Sequence, residues 1–133
     1  MRIRLLTAVM AVLVAQCSPV YADPLRELPT IDLYSPEVGN KGTLSWHYGK
    51  VLQVLDDDWL VVSLDAARTG RYVGTVLIHH PGIGKNMADG KRIGIGDWAK
   101  YLGEPPNVKI TSTKRLKSEL GGTKTFYVLE VMK

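Results

Sequence analysis

The chain has 133 residues, with 17 Lys and Arg against 13 Asp and Glu and a formal net charge of +4. A hydrophobic share of 45% fits a folded domain rather than a disordered tract, and the length suits a single core. One cysteine excludes an intrachain disulfide, and with it the small disulfide-stapled folds.

The first 22 residues have the three parts of an export signal. Arg2 and Arg4 form a positive start, residues 5–15 an apolar run broken only by Thr7, and Val20-Tyr21-Ala22 a small-residue cleavage site. The apolar run is shorter than the roughly 20 residues that cross a bilayer, so no transmembrane segment is expected after cleavage. An alternative is lipoprotein processing at Cys17, although Gln16 stands where a lipobox has a small residue. Cleavage after Ala22 takes 22 of the 133 residues, two basic residues and the cysteine, leaving 111 residues with 15 basic against 13 acidic. That near balance supports no general affinity for nucleic acid or membranes. A cysteine-free exported domain points to the periplasm or the exterior of a bacterial cell.

Residues 23–41 read as an extended leader, since Pro24, Pro29 and Pro36 recur among polar residues. Residues 42–133 read as one small β domain. From Thr43 the chain alternates: Leu44, Trp46, Tyr48, Leu52 and Val54 share one parity, predicted to face the core, and Ser45, His47 and Gln53 the other. Gly49 within this strand predicts a bulge or bend. Asp56-Asp57-Asp58 is a turn, with return strands over residues 59–64 and 72–79. Residues 81–90 form a glycine-rich loop, followed by a short strand over 91–95 and then a strand or one helical turn over 98–102. Pro105-Pro106 precedes a strand over 108–113, residues 114–120 are a candidate short helix, and Gly121-Gly122 turns into a closing strand over 123–132.

Five to seven short strands with glycine-rich turns predict an all-β fold. The expected form is a partly open barrel of the OB or SH3-like kind, with a two-sheet sandwich as the alternative. Residues 50–58, 89–93 leading to 101–103, and 123–130 follow in an order that resembles the small β-barrel domains of unknown function found in exported bacterial proteins. The resemblance implies a barrel and export; it carries no site residues.

Motifs for chemistry are weak. Pro81 to Asn86 has a Gly-Lys pair, but His79 and Asn86 stand where a phosphate-binding loop needs Gly and Ser or Thr. His79 and His80 are the best metal candidates, with Asp65 or Asp89 as possible carboxylate partners. Adjacent strand residues point to opposite faces, however, and His47 is the only other histidine. Asp56, Asp57 and Asp58 lack the glycine-punctuated spacing of a calcium loop. No serine lies in a nucleophile-elbow context. No metal, cofactor or catalytic residue is therefore assigned.

The binding features are stronger. Lys109, Lys114, Arg115, Lys117 and Lys124 lie near the last turn, opposed locally only by Glu119. Trp98 and Phe126 are expected to be partly exposed beside them, as is Trp59, which would supply the basic and stacking elements of a polymer-binding face. The expected function is a non-enzymatic binding or assembly module of the envelope or extracellular space. Its partner would be a protein or an anionic polymer; nucleic acid fits that compartment less well. A metal-dependent enzyme or metal-binding protein using His79 and His80 is the alternative.

Overall fold

The computed structural model describes residues 27–117 and 121–132; the expected signal sequence, Cys17 and Pro24 lie outside them. Among the described residues seven strands carry the fold: β1 (Lys41–Thr43), β2 (His47–Asp56), β3 (Trp59–Ala66), β4 (Tyr72–His79), β5 (Arg92–Ile93), β6 (Asn107–Lys117) and β7 (Thr123–Val131). One helical turn, α1 (Trp98–Leu102), lies between β5 and β6. All strands join a single sheet in the order β1-β6-β7-β4-β3-β2-β5. Every pairing is antiparallel except β4 with β7.

That order requires the sheet to roll. Thr43 and His47 are four residues apart, so the chain between them reaches at most about 14 Å. Laid flat, the five strand spacings from β1 to β2 would cover about 24 Å. The two segments can be neighbours in sequence and distant in the sheet only if the sheet curls back on itself. The result is a small, partly open barrel whose long, bent strand is β2. A three-strand meander, a helical turn and a final strand parallel to the third meander strand follow the OB-like order. A single sheet replaces the sandwich alternative.

The bend corrects the predicted parity of β2. The His47 N–H donates to the Leu44 carbonyl at 3.1 Å, so residues 44–46 turn instead of continuing the pleat, and inside and outside exchange. Leu44 is buried, but Trp46, Tyr48 and Leu52 are 55%, 43% and 45% exposed, while His47, Gly49 and Val51 face the core. The register of β2 against β3 shifts between Val51 and Gln53 and again between Val54 and Asp56. The bulges therefore sit beyond Gly49, which pairs regularly with Leu64 and with Ile93.

Gly49 is needed for another reason. A Cβ there would lie 2.5 Å from Cζ2 of Trp98. Trp98 is 0% exposed, and its indole N–H donates to the His47 carbonyl at 2.9 Å. This corrects the expectation that Trp98 is a surface aromatic: α1 lays it across the one position of β2 with no side chain to obstruct it. Around it the main core gathers Leu44, Val51, Leu60, Val62, Ile78, Ile93, Ile110 and Leu129.

Two further expectations change. The described part of the leader packs onto the barrel, with Ile31 and Leu33 buried in the main core. The Thr43 N–H donates to the Pro29 carbonyl at 2.8 Å, and Gly42 leaves the space that the Ile31 backbone occupies. The candidate helix over 114–120 is, as far as Lys117, the continuation of β6. Pairing of residues 112–117 with β7 outweighs the helical preference of seven residues, which is too short a run to be stable alone. Residues 118–120 lie outside the described part.

Candidate binding surface

Side-chain alternation divides the basic residues near the last turn between two faces. Lys114 pairs with Phe126 and Leu116 with Lys124, placing these four on the outer face of the β6–β7 hairpin. Arg115 pairs with Thr125 and Lys117 with Thr123 on the other face, where the Arg115 guanidinium donates to the Thr123 hydroxyl at 3.1 Å. Lys109 returns to the outer face, opposite Glu130, because the register shifts between Ile110 and Ser112. The five basic residues thus form no single patch, and Trp98 belongs to the core beneath another strand.

The outer face has an organisation of its own. Register places Lys41 beside Lys109, Lys109 beside Glu130, Glu130 beside His79 and His79 beside Trp59, a row that crosses five strands. The His79 and Trp59 rings stack with centroids 4.2 Å apart at 20°. His79 Nδ1 lies 2.8 Å from Glu130 Oε2. The Lys114 ammonium stands 4.1 Å from the centre of the Trp59 ring, and the Lys124 ammonium 5.5 Å from that of Phe126. Such cation–π contacts contribute about 0.5–1 kcal/mol at exposed sites. Beneath them Val61, Leu77 and Val128 form a second small core, flanked by half-buried Trp59, Leu116 and Phe126.

The Glu130 carboxyl is held below its ordinary value by the Thr111 hydroxyl and then by His79, while partial burial acts the other way. The Thr111 hydroxyl lies buried at the bulge, where it biases the carboxyl without completing a hydrogen bond of ordinary geometry. Glu130 is the only acid of the described β6 and β7 residues. It is hydrogen-bonded to His79, and it is the one carboxylate set against the three lysines on this face of the hairpin.

The remaining motifs have structural roles. The Asp58 carboxylate accepts the Gly82 N–H at 2.8 Å and the Asp58 carbonyl accepts the His80 N–H at 3.0 Å. The Gly84 N–H donates to the Asp57 carbonyl, and a Cβ at Gly84 would meet the Asp56 carbonyl. The acidic turn and the glycine-rich loop are therefore packed against each other, with Ile83 buried between them and the core. His79 is tied to Glu130 rather than to Asp65 or Asp89. No three His, Cys, Asp or Glu side chains converge as a metal site among the described residues.

The sequence pattern pointed to Lys109, Lys114, Lys124 and Phe126 but missed Lys41, His79 and Glu130 as their neighbours. Only the register across β1, β6, β7, β4 and β3 brings those together, and register is not readable from spacing along one strand. A comparison with protein families, curated proteins and solved structures finds no match to this chain.

Proposed function

We propose that this domain is an exported, non-enzymatic binding module that recognises an anionic polymer of the cell envelope through the outer face of its β6–β7 hairpin. One observation carries the proposal. Lys109, Lys114 and Lys124 share that face with a single acid of the described hairpin residues, Glu130. The face therefore keeps a net positive charge, three cations against one carboxylate, beside two half-buried aromatic rings, Trp59 and Phe126, and Lys41 extends it across β1. The barrel holds these side chains on paired strands rather than on a loose loop, which limits the ordering cost of binding.

The signal sequence supports export, and no helix among the described residues is long and apolar enough to cross a membrane. Binding of this type releases counterions, so its affinity falls steeply as salt rises. Titrating the mature domain into a fluorescent poly(glycerol phosphate) at 50 and 200 mM salt tests it, in amounts set on the order of the salt range in which such slopes are read. Saturable binding that weakens at the higher salt is expected; no binding at the lower salt refutes the proposal.

A further inference from the structure

A second cluster lies at the other end of the strand order and shares no residue with the hairpin face. Tyr48 and Lys50 stand two apart on β2 and so project from the same side of the sheet. Asp65 of β3 is directly opposite Tyr48, and Arg92 of β5 directly opposite Lys50. These four side chains, with Gly49 and Ile93, line a depression of about 310 Å³, near the lower end of the roughly 300–1,000 Å³ of small-ligand pockets.

The charges in this depression are unfavourably placed with respect to one another. Like charges directly opposite on neighbouring strands are destabilising, yet Lys50 faces Arg92. Neither has an ion-pair partner among the described residues, where the ion pairs are His79 with Glu130 and Lys100 with Asp97. Asp65 lies across from Tyr48 rather than from either cation. The depression thus contains two cations, one separate carboxylate and a half-exposed phenol ring: net charge +1, which a single monoanion neutralises.

We infer that this depression is a binding subsite for one acidic sugar unit, a hexuronate residue. Arg92 and Lys50 take the sugar carboxylate, Arg by the planar fork that matches a carboxylate and Lys as a point charge. The Tyr48 ring provides the apolar platform for the carbon face of the pyranose. Asp65 accepts hydrogen bonds from ring hydroxyls on the side away from the cations. Asp65 also decides between ligand classes: a carboxylate accepts from hydroxyls, which a pyranose presents beside its own carboxylate and a deoxynucleotide phosphodiester backbone does not.

The test uses the mature domain and three probes: a galacturonate tetrasaccharide, the neutral galactose tetrasaccharide and a four-nucleotide oligothymidylate. Affinities are measured by calorimetry, and the contacted residues by amide chemical shifts. The galacturonate is expected to move the signals of Tyr48, Lys50 and Arg92 and to bind at least tenfold more tightly than the neutral sugar. Arg92→Gln and Tyr48→Ala each weaken it about tenfold, whereas a Lys109/Lys114/Lys124→Ala variant leaves it unchanged. That last arm separates this subsite from the hairpin face. Both Arg92 and Tyr48 are surface positions, and unfolding curves matching wild type confirm that affinity and not folding is read. Equal binding of charged and neutral sugars, tighter binding of the oligothymidylate, or insensitivity to Arg92→Gln and Tyr48→Ala overturns the inference.

Discussion

Gly49→Ala adds a methyl group where the structure has the Trp98 ring. The new Cβ would lie 2.5 Å from Cζ2, 3.0 Å from Cη2 and 3.3 Å from Cγ1 of Val62. Carbon atoms rest at about 3.5–4.0 Å, so the ring must retreat by roughly 1 Å or β2 must bend. Retreat is opposed because the indole N–H is anchored on the His47 carbonyl at 2.9 Å and the side chain is fully enclosed. Gly49 is not among the glycines with positive φ, so its backbone suits alanine and the cost is steric. Overpacking of this kind costs about 1–3 kcal/mol, and a clash this short belongs in the upper part of that range. The reduced backbone entropy of the unfolded alanine chain offsets about 0.4–1 kcal/mol. A net loss of about 2 kcal/mol is expected, read as a lower urea midpoint at unchanged m-value. Trp98→Phe removes the clashing atoms at its own cost, so the double variant should be more stable than the sum of the two single losses by at least about 1 kcal/mol. A neutral Gly49→Ala, or strict additivity, would refute the packing argument.

Two further outcomes follow from the structure and one from the sequence. Burial lowers the pKa of His47 from its ordinary 6.5, so the unfolded chain takes up this proton first and stability falls as pH drops below 6.5; His47→Leu should flatten the urea stability profile between pH 7.5 and 5, and an unchanged slope would contradict it. The Glu130 carboxyl is held below its ordinary 4.5 by Thr111 and His79, so its contribution is present above that value and is lost as pH falls through the lowered one; Glu130→Gln should lessen acid destabilisation below pH 4.5 and leave the His47 window in place. Intact mass of the exported protein should place the mature N-terminus at Asp23, whereas a lipid-modified product starting at Cys17 would show lipoprotein processing.

Much of the barrel was legible because turns and alternation are local properties. Asp56 to Asp58 and Gly121-Gly122 mark strand ends that the structure keeps, and the closing strand expected over 123–132 is β7. The inward face of β2 was not legible. Leu44 and Trp46 look in phase, and only the hydrogen bond from His47 back to Leu44 shows that the pleat is interrupted between them. Gly49 was readable as special but not why, since its reason, Trp98, lies 49 residues later in the chain. The candidate surface was half legible for the same reason. A run such as Lys114-Arg115-Leu116-Lys117 shows charge, but which face each lysine joins, and that Trp59 and His79 lie beneath it, depends on non-local register.

The division of charge between the two hairpin faces gives the most direct test of the proposed function. Lys109, Lys114 and Lys124 share the outer face with Trp59 and Phe126; Arg115 and Lys117 point the other way. Binding of fluorescent poly(glycerol phosphate) should be compared for wild type, Lys109/Lys114/Lys124→Ala and Arg115/Lys117→Ala at several salt concentrations. The outer-face variant should lose most of the affinity and flatten the salt dependence, by analogy with the roughly 0.7–0.9 in slope that each neutralised phosphate contributes on nucleic acids. The Arg115/Lys117 variant should stay close to wild type. Equal losses in both variants would show that charge alone attracts the polymer, and an unaffected outer-face variant would contradict the account.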